Sequence, residues 1–222
     1  MKKTIQRVLA AVILFAMILS GGFSEVGKVH AEKQQGTTKR AIYVVFDNSG
    51  SMYGDGNKAW SQATYAMEVF AAMMNYESGD VMKVFPMHDI TTDGNTGSAT
   101  KSSMEIRGKD DIAQIHNMYT PKPGGTPYTQ VNNAAGELTK LLNAGSVDEG
   151  WLVVLTDGDF DNDIPASGLK ADLEGKAAAN ENLYVQYLAI GTDVKNIPEG
   201  NADKGLYAQK AGNTSEVVNE LA

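Results

Sequence analysis

Two stretches, AIYVVF at 41–46 and WLVVLT at 151–156, are continuous runs of apolar and β-branched side chains without polar alternation. A strand with one wet face alternates apolar and polar residues, so an uninterrupted run belongs to a strand covered on both faces, as in a parallel sheet. Between the two runs the period changes. Trp60, Ala63, Met67, Phe70 and Met74 recur at spacings of three and four and predict a helix from about Lys58 to Asn75, and Tyr128, Val131, Ala135, Leu138 and Leu142 predict another. VMKVFPM (81–87) reads as a second strand and SSMEIR (102–107) as a short third, separated by the polar loop TTDGNTGSATK (91–101). DDIAQIHNM (110–118) reads as a short helix. Beyond the second apolar run come a helix from about Gly168 to Ala179, a strand at 182–190, a weak strand GLYA at 205–208 and a terminal helix from about Thr214. This alternation predicts an α/β fold, doubly wound, with a mostly parallel central sheet and helices on both faces.

The N-terminus has a different character. Lys2, Lys3 and Arg7 precede a 12-residue apolar run, Val8 to Leu19, which is shorter than the ~20 residues that span a bilayer. Val29-His30-Ala31 offers small residues where a signal peptidase cleaves, so residues 1–31 read as a signal peptide, 32–39 as a linker and 40–222 as the folded domain. An uncleaved anchor is the alternative, and the ending SEVVNELA, inside an apparent helix, leaves room for a missing C-terminal anchor or domain. The expected location is outside the cell, secreted or on a surface. Cleavage leaves 15 basic against 26 acidic residues, a charge that repels phosphate backbones and attracts cations. Nucleic acid is therefore not an expected partner. There is no cysteine, which excludes a disulfide framework, a zinc-thiolate site and a cysteine nucleophile. That absence and the lysine-led signal fit a bacterial exported protein.

In an open parallel sheet, ligands bind beyond the carboxyl ends of the strands. Three segments can deliver side chains there: Asp47-Asn48-Ser49-Gly50-Ser51 after the first strand, Gly124-Gly125-Thr126 before the long helix, and Thr156-Asp157-Gly158 after WLVVLT. They supply hard oxygen atoms and neither nitrogen nor sulphur, a set suited to Mg2+, Mn2+ or Ca2+. Two carboxylates, Asp47 and Asp157, brought within ~4 Å would repel by roughly 4 kcal/mol at an effective dielectric near 20 and call for a cation between them. Ser49, Ser51 and Thr126 would add oxygen without charge, which leaves the ion electrophilic.

DNSGSM fits D-x-S-x-S and is followed in order by GGTP and LTDG. Over about residues 40–222 the chain resembles a von Willebrand factor type A domain with a metal-ion-dependent adhesion site. The resemblance implies direct ligation by Ser49 and Ser51, ligation by Thr126 directly or through water, and water-mediated contacts from Asp47 and Asp157. It also implies the sheet order 3-2-1-4-5-6 with strand 3 antiparallel at the edge, Mg2+ as the first choice of ion, and a protein partner whose carboxylate completes the coordination. The function it implies is adhesion or interaction, without catalysis.

Plainer readings stand beside these. Thr126-Pro127 is also an ordinary helix start, with threonine as N-cap, and Asp47 could be a strand-end Asx turn. Asp159, Asp161 and Asp163 read as a solvated acidic rim, with a second cation site as the alternative; the run lacks the glycine and glutamate of a helix-loop-helix calcium hand. His88 and His116 read as surface or satisfied histidines. No G-x-S-x-G elbow and no phosphate-binding glycine loop occurs, so no nucleotide is expected. The competing functions are a metal-dependent hydrolase, with Asp159 or Asp161 as base, and a purely structural cation.

Overall fold

The computed structural model describes residues 38–94, 99–120, 124–161, 164–190 and 196–211. The proposed signal peptide, most of the linker, Asp163 and the expected terminal helix lie outside them. Six strands form the sheet: β1 (Arg40–Phe46), β2 (Val81–Pro86), β3 (Met104–Ile106), β4 (Glu149–Thr156), β5 (Leu183–Ile190) and β6 (Leu206–Ala211). Their order is β3-β2-β1-β4-β5-β6, and every pairing is parallel except β2 with β3. This is the topology the resemblance implies.

All seven residues of β1 are buried, as its unbroken apolar run requires. Ala41, Tyr43 and Val45 face one core, where they meet Val131, Ala134 and Leu138 of helix α3 (Thr129–Asn143) and Leu173 of α4 (Leu169–Ala177). Ile42, Val44 and Phe46 face the other, against Ala63, Met67 and Phe70 of α1 (Gly54–Met73) and Ile115 of the single-turn α2 (Ala113–His116). Each large apolar side chain so buried contributes roughly 1.5–3 kcal/mol. α3 stops at Gly145, whose φ of 64° is left-handed. The Gly145 amide reaches Leu142 O and the Ser146 amide reaches Leu141 O, both at 3.0 Å, which satisfies the last carbonyls.

Several boundaries differ from expectation. α1 begins at Gly54, not near Lys58, because a 3-10 turn at Gly50–Tyr53 feeds directly into it. The expected helix at 110–118 splits into a 3-10 turn, Lys109–Asp111, and α2. β3 keeps only three residues. β6 reaches Ala211 because Leu206–Ala211 pairs in register with Val185–Ile190. Lys39 is already tied down: its carbonyl accepts the amides of Asp148 (2.8 Å) and Glu149 (3.2 Å).

At the amino ends of the strands, Arg40 and Asp80 form a buried pair. Asp80 accepts from the Arg40 amide (3.1 Å), Nε (3.3 Å) and Nη2 (2.8 Å), and from the Asn75 amide (3.2 Å). Asp80→Ala would leave a buried guanidinium without that partner and should lower stability by about 3–5 kcal/mol in urea unfolding. Beside this pair, burial pushes the Glu149 carboxyl above its ordinary value, while the Trp151 indole N–H donating to it and the Arg40 charge pull the other way. Because the folded-state value is raised, the charged form costs stability as pH rises above the unfolded value of 4.5. Glu149→Gln, which keeps the acceptor for Trp151, should therefore stabilise the protein at pH 7, with the gain disappearing below about pH 4.5 in a pH series of unfolding curves.

Candidate metal centre

β1 delivers Asp47 to the carboxyl end of the sheet, where the Asp47 amide donates to Leu155 O of β4 at 2.9 Å. Asp47 is fully buried, so its carboxylate needs partners. Oδ1 accepts the Ser49 amide at 2.9 Å, and Oδ2 accepts the Thr156 hydroxyl at 2.5 Å. The first contact is the Asx turn that strand-end aspartates form; the second crosses from the first loop to the end of β4. Thr156 Oγ1 also accepts the Gly158 amide at 3.1 Å, so one hydroxyl binds the first and third loops together.

From Ser49 the oxygens continue outward. Ser51 Oγ donates to Asp157 Oδ1 at 2.8 Å, and Ser49 Oγ lies 2.9 Å from Ser51 Oγ. Since the Ser51 proton points to Asp157, Ser49 is the donor in that pair. Ser51 is exposed and Asp157 half-buried, so this end of the chain of oxygens opens to solvent. Thr126 is 5% exposed, and its hydroxyl lies 3.9 Å from where a Cβ would stand on Gly158. The Gly50 amide donates to Gly124 O at 3.2 Å, joining the second loop to the first. All five candidate residues, Asp47, Ser49, Ser51, Thr126 and Asp157, thus come to one pole of the sheet.

Thr126 does not cap α3. That helix begins at Thr129, Tyr128 stands at its N-cap position, and no side chain caps it. Tyr128 anchors the base of the loop instead, donating to Asp172 Oδ2 at 2.6 Å and meeting the Phe160 ring edge-on at 4.8 Å.

The donor set fits a small hard cation. Adjacent ligands around an octahedral ion with bonds near 2.0–2.1 Å are separated by about 2.9 Å, against about 3.3 Å or more at calcium distances. The 2.9 and 2.8 Å separations along Ser49, Ser51 and Asp157 are ordinary hydrogen-bond lengths that also fall near that edge, so the fit is carried by the hard-oxygen chemistry of the donors and not by their spacing. Among the described residues no group of three His, Cys, Asp or Glu side chains converges; the centre depends on hydroxyls, with two carboxylates.

Four further residues shape the pole: Asn48, to which the sequence reading gave no role, His88, the satisfied histidine expected, and Asp159 and Asp161, read as a solvated rim. Asn48 is fully buried. Its Nδ2 donates to His88 O at 2.7 Å and its Oδ1 accepts the His88 amide at 2.8 Å, clamping the first loop to the end of β2. His88, distant in sequence from the three motifs, is at the site: its Nε2 is 2.5 Å from Gly125 O. His116 lies apart, paired with Glu68 at 3.3 Å. The acidic rim is not simply solvated. Asp161 Oδ2 accepts the Thr126 amide at 2.5 Å, and Asp159 accepts the Asn196 amide (3.1 Å) and Nδ2 (3.0 Å). The field of the site reaches β5, where the Tyr187 phenol is pushed well above its ordinary value by burial first, then by the Asp159 and Asp47 carboxylates.

No protein-family model and no curated protein matches the chain. Among solved structures, it is similar to proximal thread matrix protein 1 from the mussel byssus, with a TM-score of 0.53 and 15% identity over 83% of this chain. A second structure of that protein, with a zinc-occupied MIDAS motif, gives a TM-score of 0.55 at 14% identity over 83% of this chain. The fold is that of a von Willebrand factor type A domain. The chain spans 46% of the length of each of these structures. In this type A fold the loops after β1 and β4 and before α3 meet at one pole, and Thr156 joins two of them. Thr156→Val should lower stability by about 1.5–3 kcal/mol in urea unfolding with chelator present, because it removes a hydrogen bond to a buried charge. Thr156→Ser should retain most of it.

Proposed function

We propose that this chain is an exported, divalent-cation-dependent protein-binding module of the adhesion or interaction type, in which Asp47, Ser49, Ser51, Thr126 and Asp157 hold one ion. The observation that carries this reading is the chain of oxygens at 2.9 and 2.8 Å, ending at solvent-facing Ser51 and Asp157. Mg2+ is the first choice for a set of hard oxygen donors, with Mn2+ and Ca2+ as alternatives; the mussel byssus protein held zinc at its own motif. When bound, the ion supplies an electrophilic position for a carboxylate from a partner protein, since only two of the five side chains are charged.

The surrounding residues constrain that partner. Asp159 and Asp161 border the centre, and the whole chain carries 27 acidic against 19 basic residues, so a carboxylate set among basic side chains is favoured over a uniformly acidic segment. The same charge disfavours nucleic acid and nucleotides. Catalysis is not proposed. A hydrolase needs a base beside the ion, and the groups nearest in kind are engaged: Asp161 with the Thr126 amide, Asp159 with Asn196, and His88 with Gly125 O. Export rests on residues 1–31 as a signal peptide ahead of a domain at 40–222. Among the described residues no helix is long and apolar enough to cross a membrane.

Thermal unfolding of the full chain with chelator, then with Mg2+, Mn2+ or Ca2+, tests the centre. An ion at 100 times its dissociation constant, bound only to the folded state, adds about 2.7 kcal/mol, or about 5–10 °C for a domain of this size. The rise should appear in the wild type and be absent from Asp47→Ala. Absence of any rise in the wild type would overturn the reading. A rise unaccompanied by any metal-dependent protein ligand would reduce the ion to a tie between loops.

A further inference from the structure

The Gly124-Gly125-Thr126 segment is held by its backbone at four groups. Gly124 O accepts the Gly50 amide at 3.2 Å, and Gly125 O faces His88 Nε2 at 2.5 Å. The Thr126 amide donates to Asp161 Oδ2 at 2.5 Å, and Thr126 O accepts the Asp161 amide at 3.1 Å. Because a carbonyl can only accept, His88 Nε2 must carry the hydrogen. The two glycines exist for these approaches and not for their backbone angles, since neither has a positive φ. A Cβ on Gly125 would fall 1.6 Å from Asp161 Oδ2, and one on Gly124 would fall 2.9 Å from His88 Cε1. His88 is in turn fixed through its own backbone by the buried Asn48 side chain.

We infer that His88 and Asp161 are positioning residues for the metal centre, which grip the peptide groups on either side of the Gly125–Thr126 bond and so set where the Thr126 hydroxyl stands. This rests on the proposed role of Thr126 as a ligand. Each acts on the proposed ligand through the backbone, as partners behind metal ligands do when they fix ligand orientation. Both sit at the protein surface, Asp161 exposed and His88 half-buried, so their removal leaves the cores on either side of the sheet intact.

The test compares the full chain with His88→Ala, Asp161→Ala, the conservative His88→Gln and Asp161→Asn, which preserve a donor and an acceptor, and Gly125→Ala, whose methyl group displaces the Asp161 carboxylate. Mn2+ affinity is read by calorimetry, and exchange of the Thr126 amide is followed by NMR in chelator. His88→Ala, Asp161→Ala and Gly125→Ala should each weaken Mn2+ binding by about 10–100-fold, while the melting temperature in chelator stays within about 2 °C of wild type. Thr126 amide exchange should accelerate in Asp161→Ala and Gly125→Ala, and the conservative variants should recover most of the affinity. Wild-type affinity in both alanine variants, with binding abolished in Asp47→Ala, would overturn the positioning role and leave the metal centre standing. If the wild type binds no Mn2+, the metal reading fails and the positioning role fails with it. The exchange measurement then still reports whether Asp161 grips Thr126 as a purely structural clasp.

Discussion

A buried carboxylate at the end of a buried strand organises this molecule. Asp47 has no access to solvent, and its two oxygens are answered by the Ser49 amide and the Thr156 hydroxyl. The first answer bends the chain out of β1; the second ties that bend to the end of β4, 109 residues later. The cost of burying an unanswered charge is large enough that both loops are fixed in place by this one group. The hydroxyls of Ser49 and Ser51 then emerge from a turn whose geometry is already determined, and Gly50 carries the constraint to the second loop through Gly124.

The same logic explains why so few charges suffice. A cluster of three or four carboxylates would need an ion merely to hold the fold together. Here the buried carboxylate is neutralised in effect by hydrogen-bond donors, and the open end presents hydroxyls and a half-buried Asp157. The hydrogen-bonded oxygen spacing and the edge of a small octahedral coordination shell coincide, so the oxygens along Ser49, Ser51 and Asp157 can serve either arrangement with little displacement.

Much of this was legible in the sequence because the signals were local. An unbroken apolar run marks a doubly covered strand, so β1, β4 and their helices were placed within a few residues, and D-x-S-x-S lies within five positions of one strand end. What was not legible depended on tertiary contacts. The start of α1 is set by the turn that precedes it, and β6 owes its length to pairing with β5. His88 is the satisfied histidine expected, but where it is satisfied, like what Asp161 holds, was not legible, because these contacts bridge 37 and 35 residues and end on backbone atoms, which leave no imprint on side-chain pattern. Asp159 and Asp161 look like solvated acids for the same reason: alternation of charge reveals nothing about which peptide groups will lie opposite.

Arg40, at the other end of β1, sets where the chain enters the domain. It is anchored by Asp80 at the amino pole, and β1 is seven residues long, so the point of entry and Asp47 stand roughly 20 Å apart along the central strand. Lys39 and Arg40 therefore bring the chain into the domain at the end of the sheet opposite the oxygen-lined pole. An entry point at the far end of β1 leaves the oxygen-lined pole clear of Lys39 and Arg40, so a partner can cover the whole of that pole without meeting the first residues of the domain.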